Sequence, residues 1–450
     1  MKTDLTFRTR REFLRTSVLG GALAYSVPAF LANTFSALQA DAADSATQTA
    51  TGRDATILVV LQMAGGNDGL NTVVPFANDH YRRARPKISL PASGVLKLND
   101  EVGFHPSLAG FKGLYDSGSL AVIQGIGYPN PNRSHFRSTE IWQTASDSQK
   151  FEKYGWLGRY FDNACSGCDP TIGVNIGRQM PQSFAAKHPI GVSLENPQGY
   201  RFITSDKGTK AAGSAEESYR KMNAPDEGMA MDASGGAEGN SGDTIGSLHG
   251  PTAHTGSALD FLERTAMDAQ VSSDKIRLLS GKVQNKAAYP PSQLATSLKL
   301  VARLIGGGLP TRVYYVSQGG YDTHTNQLGA QQRLLKDLGD SVKAFTEDMK
   351  VQGNMSRVLV MTFSEFGRRV AENANGGTDH GAAAPMFMIG DKVKAGLLGK
   401  FPSLEPNDLT NGDIKYTVDF RSVYAGVLEA WLKTPSAPIL GKQFPPLTCV

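Results

Sequence analysis

The chain has 450 residues, 40% of them hydrophobic and 20% charged, and its 46 Lys and Arg against 42 Asp and Glu leave a formal net charge of +4. This is the composition of an ordinary soluble globular protein, and the near-balance of charge without any basic tract excludes a nucleic-acid binder. Three cysteines are too few for a disulfide scaffold, although Cys165 and Cys168 form a C-S-G-C pair able to close in an oxidising compartment, with Cys449 left over.

The chain opens on an export address. Thr9-Arg10-Arg11-Glu12-Phe13-Leu14-Arg15 is a twin-arginine signal, a mostly apolar run from Ser17 to Phe35 follows, and Ala40-Asp41-Ala42 offers an A-x-A cleavage site. The run is at the short end for spanning a bilayer. Residues 1–42 are therefore expected to engage the twin-arginine translocase and be removed, with the membrane met only through them. The mature protein is expected in the periplasm or outside the cell, as a single α/β domain over residues 43–450.

Ala55 to Met63 is an apolar, β-rich run and the expected first core strand. It empties into Ala64-Gly65-Gly66-Asn67-Asp68-Gly69, where glycines permit a sharp turn and Asp68 leaves the sheet edge. Phe104 to Ser117 carries a helical stripe, and Leu120 to Ile126 is a second buried strand, so strand, helix and strand alternate. The loop Gly127 to Phe136 follows, with Ser134 where a helix through Trp142 begins. A hydroxyl there can cap the helix. It can also be a nucleophile aided by the helix dipole, with Arg133 and Arg137 near enough in sequence to help hold an anion.

Residues 173–204 look irregular, and residues 205–256 are poor in large apolar side chains and rich in Gly, Ser, Ala and Asp, an insertion outside the core. Helical patterns return from Ser257 to Val283 and from Pro290 through Leu304. Thr311 to Ser317 is the next strand, ending in Gly319-Gly320-Tyr321-Asp322-Thr323-His324. Asp322 and His324 alternate with Thr323, so in extended backbone they share a side, as a metal-ligand pair would. A long amphipathic helix from Leu328 to Met349 leads to the strand Val358 to Phe363. At its carboxyl end sit Ser364, Glu365, Phe366 and Gly367. Asp379-His380-Gly381 then precedes an apolar run from Pro385 to Ile389. Polar residues gathered where buried parallel strands end are where open α/β sheets bind ligands. A last helix is expected from Val418 to Leu432.

The segments LQMAGGNDGLNTVVPF, VIQGIGYPNPNRSHF, GGYDTHTNQ, SEFGRR and TDHG together resemble an exported sulfatase-like family catalogued as domain of unknown function 1501, similar in fold to the alkaline phosphatase superfamily. The resemblance implies a mostly parallel sheet flanked by helices on both faces. It also implies one or two divalent metals. By position, Asp68 resembles the first-strand ligand, Ser134 the nucleophile, and Asp322 with His324 the first Asp/His pair. Glu365 and Phe366 stand where the second pair would be, His380 resembles the last histidine, and Asp379 is an extra ligand or partner. Asp322, His324 and His380 would then hold zinc with an open position, while Asp68 and Glu365 would form a weaker, oxygen-rich seat for Mg, Mn or Ca. The function implied is metal-dependent hydrolysis of phosphate or sulfate esters, on a small-molecule or glycan substrate, with Ser134, Ser138, Thr139 or a metal-bound water as nucleophile. A non-catalytic periplasmic or envelope binding protein on the same fold is the other class.

Overall fold

The computed structural model describes residues 55–164, 168–188, 190–197 and 272–450. All of them belong to one of the two compact units into which the chain divides. The expected signal segment, the insertion at 205–256 and Cys165 lie outside the described residues. Cys168 is disulfide-bonded, and Cys449 is a buried free thiol. No helix among the described residues is long and apolar enough to cross a membrane.

A nine-stranded sheet forms the centre. Its strands are β1 (Ile57–Met63), β2 (Leu120–Gly127), β3 (Gly173–Ile176), β4 (Val192–Leu194), β5 (Val313–Gln318), β6 (Val358–Phe363), β7 (Ala384–Ile389), β8 (Gly396–Leu398) and β9 (Val418–Asp419). They lie in the order β8-β2-β7-β6-β1-β5-β3-β4, with β9 also beside β2. Every pairing is parallel except those of β7, which runs antiparallel to both β2 and β6. Seven apolar or amide side chains in a row, as in β1, are what a strand covered on both faces requires.

The two faces are separate cores. Ile57, Val59, Leu61 and Met63 point to one side, against α1 (Ala109–Asp116), with α4 (Gln293–Gly306) and α5 (Gln327–Val351) on that face. Leu58 and Val60 point to the other, where α2 (His135–Thr144), α3 (Trp156–Ala164) and α6 (Phe420–Gly426) pack. There Trp142 stacks on Phe420 at 4.3 Å between ring centroids and Trp156 stacks on Tyr424 at 4.3 Å.

The expected strands form where the apolar patterns place them, as does the long helix before β6. The helix expected over Phe104–Ser117 runs only from Ala109 to Asp116, because Gly103 and Phe104 pair in a small second sheet. Of the helix expected over Ser257–Val283, residues 257–271 lie outside the described residues, while 272–282 are helical. The segment expected to be irregular holds β3 and β4, four and three residues long at one end of the sheet, too short to show a period. The last helix starts at Phe420 and not at Val418, because Val418 and Asp419 pair with β2 and the Asp419 carboxylate caps the helix by accepting the Arg421 N–H. A π-turn over Val427–Trp431 continues it.

His105 follows a small second sheet and is almost fully buried, its Nδ1 accepting the Ser107 N–H at 3.1 Å. Burial pushes its pKa from 6.5 down to about 4, against a smaller opposing pull from Asp68. The unfolded chain therefore takes up this proton first, so stability present above pH 6.5 is lost as pH falls towards 4. At ~1.4 kcal/mol per pH unit the window holds about 3 kcal/mol. His105→Asn keeps an acceptor for the Ser107 N–H without titrating, and should flatten this part of the pH dependence. Urea unfolding of both proteins at pH 4.5 and 7 measures it, and an equal loss in both would remove His105 as the cause.

Candidate metal centre

The parallel strands β1, β2, β5 and β6 all end on one edge of the sheet, and the antiparallel β7 begins there. That reversal lets the loop entering β7 meet the loops leaving the others. His135 comes from the loop after β2, Asp322 and His324 from the loop after β5, Glu365 from β6, and Asp379 and His380 from the approach to β7.

Local sequence explains each placement. Pro129 and Pro131, with Asn130 in the left-handed region at φ 52°, bend the segment after β2 and keep it out of helix, so α2 starts only at His135. Gly65 turns the chain out of β1 at φ 120°, and a Cβ there would lie 2.5 Å from the Asp322 nitrogen. The loops after β6 and before β7 zip together through Gly367 N–H to Ala382 O at 2.9 Å, Gly381 N–H to Gly367 O at 2.8 Å, and a bridge between Arg368 and His380.

At the middle is the Asp322 carboxylate. Its Oδ1 lies 3.0 Å from His324 Nε2 and 3.0 Å from His380 Nε2, and those two nitrogens are 3.0 Å from each other. Its Oδ2 lies 3.3 Å from His135 Nε2. Each of the three imidazoles turns its other nitrogen to an oxygen. His135 Nδ1 is 3.0 Å from Glu365 Oε1, His324 Nδ1 is 3.3 Å from Asp379 Oδ1, and His380 Nδ1 is 2.8 Å from the Arg133 carbonyl. A carbonyl or a carboxylate oxygen can only accept, so each Nδ1 can keep its proton on the oxygen behind it while Nε2 turns its lone pair to an ion; with no ion there, a proton on Nε2 meets the Asp322 carboxylate instead.

Asp322 Oδ1 and the two Nε2 atoms, facing one another at 3.0 Å, repel unless a proton or a metal cation sits among them. The edge of a tetrahedral zinc site with ligand bonds of 2.0–2.1 Å is about 3.3 Å, close to this triangle. Histidines held from behind by an oxygen are the usual arrangement of metal ligands. Asp322, His324 and His380 thus fit one divalent ion with an open position towards solvent. His135 adjoins that seat on the second carboxylate oxygen, and its ligand atom comes within 4.8 Å of those of Asp322 and His380.

Asp322 keeps its charge. Burial alone would raise its pKa, but hydrogen bonds from Arg368 and His380 and the charges of Arg368 and His324 hold it well below the usual carboxylate range. Asp379 is also lowered, by the hydrogen bond from Asn373 before that from His324. Glu365 is buried; Oε1 accepts the Gly65 N–H at 2.8 Å as well as meeting His135, and Oε2 is buried without a hydrogen-bond partner. A buried acceptor of that kind is costly unless a positive group or a water meets it. The Phe366 ring lies 4.5 Å from the His380 ring and 5.0 Å from that of His135, an apolar floor where the resemblance called for a second imidazole.

Several expected site residues have other work. Asp68 is buried and closed by Arg85, whose Nη1 is 2.6 Å from Oδ2 and Nη2 3.0 Å from Oδ1, with Gln327 also donating. A guanidinium already sits where a second cation was expected, so the oxygen-rich seat of Asp68 and Glu365 is not assembled. Arg133 is bound to Asp413 through both Nε and Nη2. Arg137 pairs with Glu140 at 2.8 Å, donates to the carbonyls of Asp147, Ser148 and Lys150, and covers the Phe151 ring. Neither arginine is free to hold an anion. Ser138 is fully buried, with its hydroxyl on the Glu365 carbonyl and the Tyr128 hydroxyl. Ser134 is exposed at the helix start and its hydroxyl makes no capping bond.

Two residues of the site escaped the sequence reading. His135 was hidden behind Ser134, although a histidine at the first helical position after an Asn/Pro loop is its signal. Arg368 is fully buried. It donates from Nε to Gly66 O, from Nη1 to Thr378 O, and from Nη2 to Gly65 O, Tyr321 O and Asp322 Oδ1. Lysine has neither the fork nor the reach for five acceptors. Arg368→Lys should lower the unfolding free energy by about 3 kcal/mol and weaken metal retention. Urea unfolding and metal analysis of the variant check this, and parental values in both would deny Arg368 the role.

A family profile described as "Protein of unknown function (DUF1501)" matches residues 55–439. No curated protein sequence matches the chain. Among solved structures, a protein in the alkaline phosphatase superfamily from Vibrio parahaemolyticus is similar at 9% identity, covering 92% of this chain and 77% of that one with a TM-score of 0.35. The C-terminal periplasmic domain of EcEptC from Escherichia coli, in complex with Zn, is similar at 10% identity, covering 77% and 78%, TM-score 0.30. A phosphonate monoester hydrolase, SpPMH from Silicibacter pomeroyi, is similar at 9% identity, covering 87% and 78%, TM-score 0.32. These likenesses are distant, and the chemistry below rests on the side chains described above.

Proposed function

The chain belongs to the DUF1501 family, and on that premise we propose that it is an exported metal-dependent hydrolase of phosphate or sulfate esters. One observation carries the reading: three Nε2 atoms converge on the Asp322 carboxylate, each imidazole held from behind by an oxygen. Asp322, His324 and His380 are the residues that would hold the ion, and two imidazoles with a carboxylate suit zinc. When bound, the metal supplies charge neutralisation on the ester and lowers the pKa of the attacking hydroxyl.

The chain's own groups do the rest. Ser134, exposed, next in the chain to His135 and with its hydroxyl free of any capping bond, is the nucleophile. Its Oγ forms the new bond to phosphorus or sulfur while the ester oxygen departs. The serine proton goes to His135 Nε2, whose lone pair is fixed by the Nδ1–H held on Glu365, and from there to the departing alkoxide. Water then cleaves the seryl ester by the same path, restoring the hydroxyl and releasing phosphate or sulfate. Phe366 keeps the underside of both rings dry.

Purified mature protein should retain about one zinc per chain and turn over an activated aryl ester. Ser134→Ala should cut kcat about a thousandfold with zinc content intact, and His380→Ala should lose the zinc. Zinc retained without turnover of any ester would favour the exported binding protein instead; no retained metal would sink the centre. Export has its own test: changing Arg10 and Arg11 together to Lys should strand unprocessed protein in the cytoplasm, since the pair is what the twin-arginine receptor reads. Normal delivery of that double variant would remove the signal assignment.

A further inference from the structure

The charges that face a bound ester decide which ester fits, and they are unevenly divided. On the negative side are Asp322 and Asp379, with side chains 45% and 56% exposed at the mouth of the cluster. On the positive side, the arginines of the surrounding loops are already committed. Arg133 is closed on Asp413, Arg137 on Glu140 and three carbonyls, and Arg85 on Asp68. Arg368 reaches Asp322 from a side chain with no exposed surface. Arg369 stands 3.9 Å from Asp413 and also lowers Asp379, so its charge is shared between two carboxylates.

Resting on the hydrolase reading above, we propose that this centre selects singly charged tetrahedral esters, either a phosphodiester or a sulfate monoester, and rejects the doubly charged phosphate monoester. The physical ground is a count of charge. One divalent ion offset by Asp322 leaves about one unit of positive charge for the substrate, enough for a monoanion. A second negative charge on the transferred group would find the guanidiniums of these loops already set against carboxylates or carbonyls and would meet Asp379 instead. Like charges about 5 Å apart at the edge of a protein cost roughly 1–3 kcal/mol, which is about 10- to 100-fold in affinity. Specificity built this way uses repulsion of the wrong ligand as much as attraction of the right one.

Asp379 is then a specificity-determining residue and not only the partner of His324. Asparagine keeps an oxygen for the His324 Nδ1–H and removes the charge, so the two roles separate.

The test uses zinc-loaded mature protein carrying Ser134→Ala, which binds without turnover, in calorimetric titrations at pH 8. The probes are phenyl phosphate, a dianion at this pH, and the monoanions phenyl sulfate and diphenyl phosphate. At least one monoanion should bind ten-fold or more tightly than phenyl phosphate, and which one does so separates the sulfate from the diester substrate. Adding Asp379→Asn should tighten phenyl phosphate about five-fold or more, with zinc content unchanged and the monoanions little affected. Phenyl phosphate bound as tightly as either monoanion, or indifferent to Asp379→Asn, overturns the charge selection and leaves the hydrolase reading standing. Failure of all three to bind a protein that holds its zinc overturns the hydrolase reading itself.

Discussion

One guanidinium holds the business edge of this sheet together. Arg368 leaves the end of β6 and spends its donors on the loops that follow β1 and β5 and on the segment before β7, with Asp322 as its single charged partner. Four backbone carbonyls and a carboxylate converge on a group that has no surface of its own. Removing it would strand several acceptors away from water, each at about 1 kcal/mol or more. The position of Asp322 is thus fixed before any ion arrives, and the imidazoles are fixed in turn by the oxygens behind them.

Much of the fold was legible because buried parallel strands and amphipathic helices write themselves strongly. The run Val358 to Phe363 has six buried side chains in a row, and α5 repeats its apolar residues over twenty-five positions. The short strands β3 and β4 were not legible, since three or four residues carry no period and their pairing is decided by the neighbours they find. In the site, Asp322, His324, Asp379 and His380 could be read from pairs of ligand-type residues at strand ends, and the structure brings these together. Asp68 could not be judged from its own neighbourhood. Its fate depends on Arg85, seventeen residues on, and nothing in the spacing marks that arginine as its partner.

At Asp68 an arginine stands where the resemblance implied a metal. Arg85 also donates to Asn71 and to the carbonyls of Arg369 and Val370, while Gln327 links Asp68 to Thr378. A site that would demand an ion has become an internal strut beneath the loop carrying Asp379 and His380. A buried pair of this kind is costly to break on one side only. It therefore holds the loop in place whether or not an ion is bound above.

The reversed direction of β7 has a consequence for assembly. His380 meets the carbonyl of a residue 247 positions earlier in the chain, and that contact exists only when β2, β6 and β7 already lie side by side. The donor atoms are far apart in sequence and come together only where these strands have paired. An ion held there would bind the native arrangement alone and by mass action would raise the free energy needed to open the sheet edge. Its occupancy would then report that this part of the sheet has closed.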